Sequence, residues 1–174
     1  RQLYEKGRYD ESMEICKQVG PLLQALESWE QYVLSLTLWC SNLIALSKWQ
    51  DSFEKAQEAL DKALKYAGEQ HLCTGEAYLA IGKASLKNNR QKEAIAFIQK
   101  SLAIKEAILG ETHQETLNAR DLIGLILIEQ NDYDQAIALF NKNIDIRLLT
   151  LGEVHRDIAT SPKNLGLAFY YKDN

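Results

Sequence analysis

The sequence predicts an all-α chain in which antiparallel helix pairs stack into a solenoid, and three observations carry that prediction. The chain repeats itself: "GEQH", "GETH" and "GEVH" place His71, His113 and His155 at steps of 42 residues, and these are all the histidines it has. The same step links Cys40 to Gly82, Gly124 and Gly166, Ser52 to Ala94 and Ala136, and Trp49 to Gln91 and Tyr133. Good helix formers dominate, and proline occurs only at Pro21 and Pro162. Apolar residues recur at helical spacing, as in Ala94, Ile95, Ile98, Leu102, Ile104, Ile108 and Leu109, with Lys100, Lys105 and Glu106 expected to turn outward. No segment alternates with period two over a useful length. A pair of helices this short cannot bury its own apolar face, but stacked pairs can.

Taken in order, 1–174 forms one domain: a partial first unit at about 1–26, full units at about 29–70, 71–112 and 113–154, and a partial last unit at 155–174. The first unit carries the turn phrase "GRYDES", and Gly20-Pro21 is expected to break its second helix. In the next, "YVLSLTLWCSNLIALSKW" reads as a buried helix, followed by the turn "SKWQDS". The third spans helices at about 72–87 and 91–109 around "KNNRQ", and the fourth helices at about 114–130 and 133–151 around "QND". Gly110 and Gly152 stop second helices, since glycine takes the left-handed cap conformation without a steric penalty. Glu115 and Asp157 then suit the next helix start. Trp49 and Tyr133 are expected to pack at the turns. In the last unit a helix is expected from about 157, with a bend at Pro162. "FYYKDN" stops where earlier units turn into their second helix, so this end is expected to be incomplete. Leu165 and Phe169 should then favour self-association through residues near 160–174.

These columns resemble the tetratricopeptide repeat. A small residue in the first helix (Gly82, Gly124, Gly166) is joined by an aromatic at the turn (Tyr9, Trp49, Tyr133) and a small residue early in the second helix (Ser12, Ser52, Ala94, Ala136). The 42-residue period exceeds the usual ~34, and with "LGETH" and "LGEVH" at the joints it is similar to the kinesin light chain subtype. Gln114 and Arg156 stand where that subtype usually has proline. The resemblance implies a right-handed α-α superhelix whose first helices line a concave groove. Counted from the small-residue column, the groove faces are Thr37, Leu79, Asp121 and Lys163; Ser41, Lys83, Leu125 and Leu167; and Ile44, Leu86, Ile128 and Tyr170. Glu76, Lys87, Glu129, Asn164 and Tyr171 flank them. Of the asparagines that usually stand beside the small residue in that groove, only Asn164 is kept. The resemblance also implies a non-catalytic scaffold that binds a peptide or protein segment, as part of a larger protein. Its rival is a regulatory solenoid that senses a peptide or signal and controls a fused effector.

Chemistry narrows the field further. The balance of 20 basic against 24 acidic residues gives a net charge of −4, which speaks against nucleic acid or anionic lipid as partner. No apolar run approaches the roughly 18 residues that span a bilayer. Cys16, Cys40 and Cys73 are odd in number and lack CxxC spacing, which favours a reducing, cytoplasmic setting. Histidines one repeat apart are separated by about 10 Å, too far to share a metal that needs both nitrogens at about 2.0–2.1 Å. They are expected to mark the joints between units, beside the glycine caps. Cys16 and Cys40 fall in core columns and read as small buried hydrophobes. Without a Gly-rich phosphate loop or an oriented Cys–His pair, no enzyme, metal or cofactor is expected.

Overall fold

A computed structural model describes residues 1–151 and 160–172. Nine helices follow one another among them: α1 (Gln2–Glu5), α2 (Tyr9–Ala25), α3 (Trp29–Ala45), α4 (Trp49–Tyr66), α5 (Leu72–Lys87), α6 (Gln91–Leu109), α7 (Gln114–Glu129), α8 (Tyr133–Leu151) and α9 (Thr160–Lys172). The bounds read from periodicity for α5 to α8 agree to within one residue. The expected helix start near 157, Gly152 and His155 lie outside the described residues; α9 is described from Thr160 and contains Pro162.

The repeat is written into the backbone as well as the side chains. Gly7, Ser47, Asn89 and Asn131 all take positive φ, between 52° and 73° with Glu27 included, and each ends the first helix of a pair apart from Glu27, which follows α2. The chain reverses there through a bond that skips back over the helix end. Lys48, Arg90 and Asp132 N–H donate to the carbonyls of Leu43, Ser85 and Leu127 at 2.9, 2.9 and 2.8 Å. Asparagine tolerates this left-handed conformation better than most residues. Gly68 and Gly110, at φ 85° and 86°, end the second helices α4 and α6.

The histidines sit at the next step. His71 and His113 are the N-caps of α5 and α7, and each Nδ1 accepts a backbone N–H two residues on, from Cys73 and Glu115, at 3.2 Å. They mark the joints, as expected, and they do so by satisfying a helix-start donor.

The helices group into two compact units, Arg1–Ile104 and Lys105–Asn174. The first has an apolar core in which Tyr32, Val33, Leu36 and Cys40 of α3 meet Ala56, Ala59, Leu60 and Ala63 of α4 and Cys73, Ala77, Tyr78 and Ile81 of α5. In this unit Gly82 lets α5 close on α6: a Cβ there would stand 2.5 Å from Ile98 Cγ1. The second unit has a smaller apolar cluster of Ile128, Ala136, Phe140 and Ala168. Gly124 plays the same part as Gly82, with Phe140 ring atoms 2.6 Å from where its Cβ would be.

Three expectations are corrected. The helix does not break at Gly20-Pro21; α2 runs on to Ala25 with Pro21 inside it. Proline removes one N–H, but Pro21 and Lys17 are exposed, so water can take the Lys17 carbonyl. Gly20, buried against the Tyr32 ring, keeps the helix on α3. Lys105 does not turn outward: its side chain is 2% exposed and its Nζ lies 3.1 Å from Glu115 Oε2. It shares a column with Ala63, which is buried in the apolar core of the first unit. Trp49 is 37% exposed, and the Lys87 ammonium lies 5.8 Å from its ring centroid rather than the ring being enclosed at the turn. Tyr133 is half-buried against the apolar cluster, and its hydroxyl donates to Asn131 Oδ1 at 2.6 Å.

Candidate interaction faces

In the first unit the first helices α3 and α5 pack against each other. On α5, Leu79, Lys83 and Leu86 are three and four residues apart, so they share one face. Leu79 and Leu86 are half-buried, Lys83 and Lys87 are exposed, and Glu76 is half-buried beside them. On α3, Thr37 and Ser41 donate their hydroxyls to the carbonyls of Leu34 and Thr37 at 2.9 and 3.0 Å. Their protons are thereby committed to the helix, and their oxygens present acceptors. Ile44 packs against the apolar core.

In the second unit the expected residues divide. Leu125 is half-buried, and Lys163, Leu167 and Tyr170 are exposed on α9, with the Tyr170 and Tyr171 rings edge to face at 5.4 Å. Asn164 and Ile128 are buried. Asp121 is 5% exposed and turned towards α8, where Arg147 Nη1 and Asn143 Nδ2 donate to its two oxygens at 2.9 and 2.7 Å. These three are therefore buried, and of the expected residues in this unit Leu125, Glu129, Lys163, Leu167, Tyr170 and Tyr171 remain open.

Asp121 belongs to a polar network that the sequence reading missed. Arg120 donates to Asn143 Oδ1 at 2.9 Å and to Glu106 Oε1 at 2.5 Å. Asn143 Nδ2 also donates to the Leu117 carbonyl at 2.9 Å. Arg147, Lys105, Arg120 and Asn143 are all buried. A signal was present: Ala59, Ser101 and Asn143 form one 42-residue column and Ala63, Lys105 and Arg147 another, each growing more polar along the chain.

The thiols lie away from solvent. All three cysteines are free and buried, and burial pushes the Cys40 thiol up to about 12. Cys73 Sγ lies 3.1 Å from His71 Nδ1, but burial raises this thiol too, and that nitrogen already accepts the Cys73 N–H. Among the described residues no group of three His, Cys, Asp or Glu side chains is placed to hold a metal ion. No helix among them is long and apolar enough to cross a membrane.

Solved structures share this architecture. The putative kinesin light chain of Podosopora anserina, with nearly identical TPR-like repeats, superposes with a TM-score of 0.79 at 18% identity, over 99% of this chain and 83% of that one. BtubC (BKLC) from P. vanneervenii gives 0.78 at 14% identity, over 93% and 66%. A Rap protein complexed with Competence and Sporulation Factor gives 0.73 at 18% identity, over 98% of this chain and 50% of that one. No curated protein sequence matches. The tetratricopeptide repeat model matches residues 31–107 and 86–148. Its matches cover most of the chain, over the same columns that hold the crossing glycines Gly82 and Gly124 here, and the chain belongs to the tetratricopeptide repeat family.

Proposed function

We propose that residues 1–174 act as one non-catalytic interaction domain, set within a larger cytoplasmic protein, that binds a peptide or protein segment along its first-helix faces. The observation that carries this reading is the mixture on those faces. Leu79 and Leu86 flank Lys83 on α5, and Leu167 and Tyr170 follow Lys163 on α9, each set on a helix whose opposite side is fixed in a core. Apolar anchors beside a cation on a rigid element suit an extended segment that carries apolar and acidic residues. The solved Rap complex with Competence and Sporulation Factor supports a binding role for this fold. The same likeness favours the second reading, a regulatory solenoid in which binding shifts the balance of two conformations and so controls an attached effector.

Selection of a displayed peptide library on the immobilised chain tests the binding reading. Enriched peptides should carry acidic and apolar residues and bind at least about tenfold more weakly, roughly 1.4 kcal/mol, to a Lys83→Glu, Leu125→Ala, Tyr170→Ala triple variant. No enrichment, or equal binding to the variant, rejects it. We also propose that copies of the chain associate through α9. Leu167, Phe169, Tyr170 and Tyr171 are exposed along it, and Gly166 has nothing within 4 Å of where a Cβ would stand.

A further inference from the structure

Two joints between helix pairs share one phrase, Gly-Glu-x-His-x-x-Thr, at Gly68–Thr74 and Gly110–Thr116. They do not share one geometry. At the first, Thr74 Oγ1 donates to the Gly68 carbonyl at 2.6 Å, so the start of α5 is fastened to the turn that ends α4. At the second, the same hydroxyl on Thr116 is wholly buried and has no hydrogen-bond partner among the described residues. The Gly110 carbonyl instead accepts the His113 N–H at 3.4 Å, longer than an ordinary bond of this kind.

Further differences run the same way. The Gly68 N–H reaches back five residues to the Ala63 carbonyl, whereas the Gly110 N–H stops four back at Glu106, both at 3.1 Å. Backbone φ is −113° at His71 and −67° at His113. His71 is half-buried and His113 is exposed. A buried hydroxyl left without a partner is unfavourable, and the acceptor that its counterpart uses lies in the same joint. The open position therefore needs a cause.

An ion pair supplies one. Lys142 Nζ on α8 meets Glu111 Oε2 in the joint at 3.1 Å, with the two side chains 52 and 58% exposed. One repeat earlier the glutamate column holds Glu69, and the lysine column holds Lys100, whose ammonium lies 5.1 Å from the Tyr78 ring centroid. We infer that Gly110–Thr116 is a two-position latch, held open by Lys142 on Glu111 and closed when Thr116 Oγ1 donates to the Gly110 carbonyl, as Thr74 does to Gly68. Closing brings His113 inward, towards the backbone conformation of His71, and fastens the start of α7 to the turn that ends α6. The two competing interactions are of similar, small size: an exposed ion pair, which salt screens, and one neutral hydrogen bond. Both positions are therefore accessible, and ionic strength sets the balance between them. The latch belongs to the free chain and does not depend on what its faces bind.

Labelling of the 174-residue chain with diethyl pyrocarbonate, read at each histidine by mass spectrometry, tests this. In low salt His113 should label faster than His71. Lys142→Ala, or high salt, releases the joint and should slow His113 about two- to fivefold, the shift that loss of one exposed pair allows. His71 should not change. Thr116→Val removes the hydroxyl at nearly the same shape, so in that background neither Lys142→Ala nor salt should alter His113. If His113 slows equally with valine present, the ion pair acts on the histidine directly and the latch is refuted. If it slows in neither background, Lys142 does not hold the joint open and the latch is refuted again. A second measurement separates the joints by sign. Thr74→Val breaks an existing bond and should lower the melting temperature in low salt, whereas Thr116→Val should leave it unchanged or raise it. An equal fall at both joints would mean that Thr116 is already bonded in solution and that no open position exists.

Discussion

The two units solve the same packing problem with different chemistry. In Arg1–Ile104 the apolar core combines alanine and cysteine with branched aliphatic side chains and the Tyr32 and Tyr78 rings. In Lys105–Asn174 the corresponding columns hold ions and amides. Tyr78 becomes Arg120, Leu79 becomes Asp121, and Ala63 becomes Lys105 and then Arg147 one and two repeats on. The backbone plan is unchanged, with the same left-handed turn position and the same close approach at a glycine. The repeat thus demands small residues at the crossing and helical spacing, while the rest of the buried layer tolerates either an apolar solution or a polar one held by ion pairs and hydrogen bonds. The two are not equivalent in how they fail. Losing a methyl group from an alanine-rich layer forfeits contacts, whereas losing one member of an ion network strands its buried partner.

Arg147→Ala is accordingly the largest expected effect. It removes the cation that meets buried Asp121, and breaking a buried pair costs about 3–5 kcal/mol. Hydrogen exchange should show the loss in amides of α7 and α8. The double variant Arg147→Met, Asp121→Leu removes both charges and should recover most of that stability, since Asn143 keeps the Leu117 carbonyl and Arg120 keeps Glu106. If the double variant is no better than the single one, the network is needed for more than mutual neutralisation.

The glycine crossings come next and compare the units at one column. Gly124→Ala places a methyl against two atoms of the Phe140 ring, and Gly82→Ala places one against Ile98 Cγ1. Overpacking of this kind costs about 1–3 kcal/mol, offset by up to about 1 kcal/mol from better helix propensity. A rigid ring must move as a whole, while Ile98 can change rotamer, so Gly124→Ala should cost more in thermal unfolding. The reverse order would mean that α8 yields more easily than α6.

Much of this was legible in the sequence, for a physical reason. Helix bounds and crossing glycines recur at a fixed step, so each is read several times, and the bounds of α5 to α8 followed from that redundancy. Lys105 escaped because a single lysine on a helical stripe looks solvated; only its column, shared with Ala63, places it inside. Asp121, Ile128 and Asn164 were assigned to the open face by counting from the glycine column. That count fixes an angle around the helix but cannot say how closely the next helix lies. Pro21 misled because a local rule met a helix already held by Gly20 on Tyr32.

A smaller effect separates the units by pH. In the first unit Tyr32 donates to Glu58 Oε1 at 2.7 Å and Lys55 donates to the other oxygen at 2.6 Å. Burial pushes the Glu58 carboxyl up, but these bonds and the nearby Lys62 outweigh it and hold it below its ordinary value. A lowered folded-state value means that the stabilisation is present above the ordinary carboxylate range and disappears as pH falls through the folded value. Tyr32→Phe should cost about 1 kcal/mol at neutral pH, and the gap from the parent should narrow in acid. A gap independent of pH would show that the hydroxyl acts through packing alone.

The smallest expected difference lies at the helix-capping histidines. His71 and His113 make the same bond at the same length, yet their surroundings differ. His71 is half-buried, and beside it Thr74 Oγ1 donates to the Gly68 carbonyl at 2.6 Å, tying α5 to the preceding turn. His113 is exposed, so water can replace its acceptor when it is lost. Replacing a side-chain N-cap by alanine costs about 0.5–2 kcal/mol. His113→Ala should fall at the bottom of that range and His71→Ala above it, since only the latter leaves the buried Cys73 N–H without its acceptor. His113→Asn supplies a preferred capping oxygen at the same place and should match or exceed the parent in thermal unfolding. A loss with asparagine as large as with alanine would mean that the imidazole contributes by packing at the joint and not by capping.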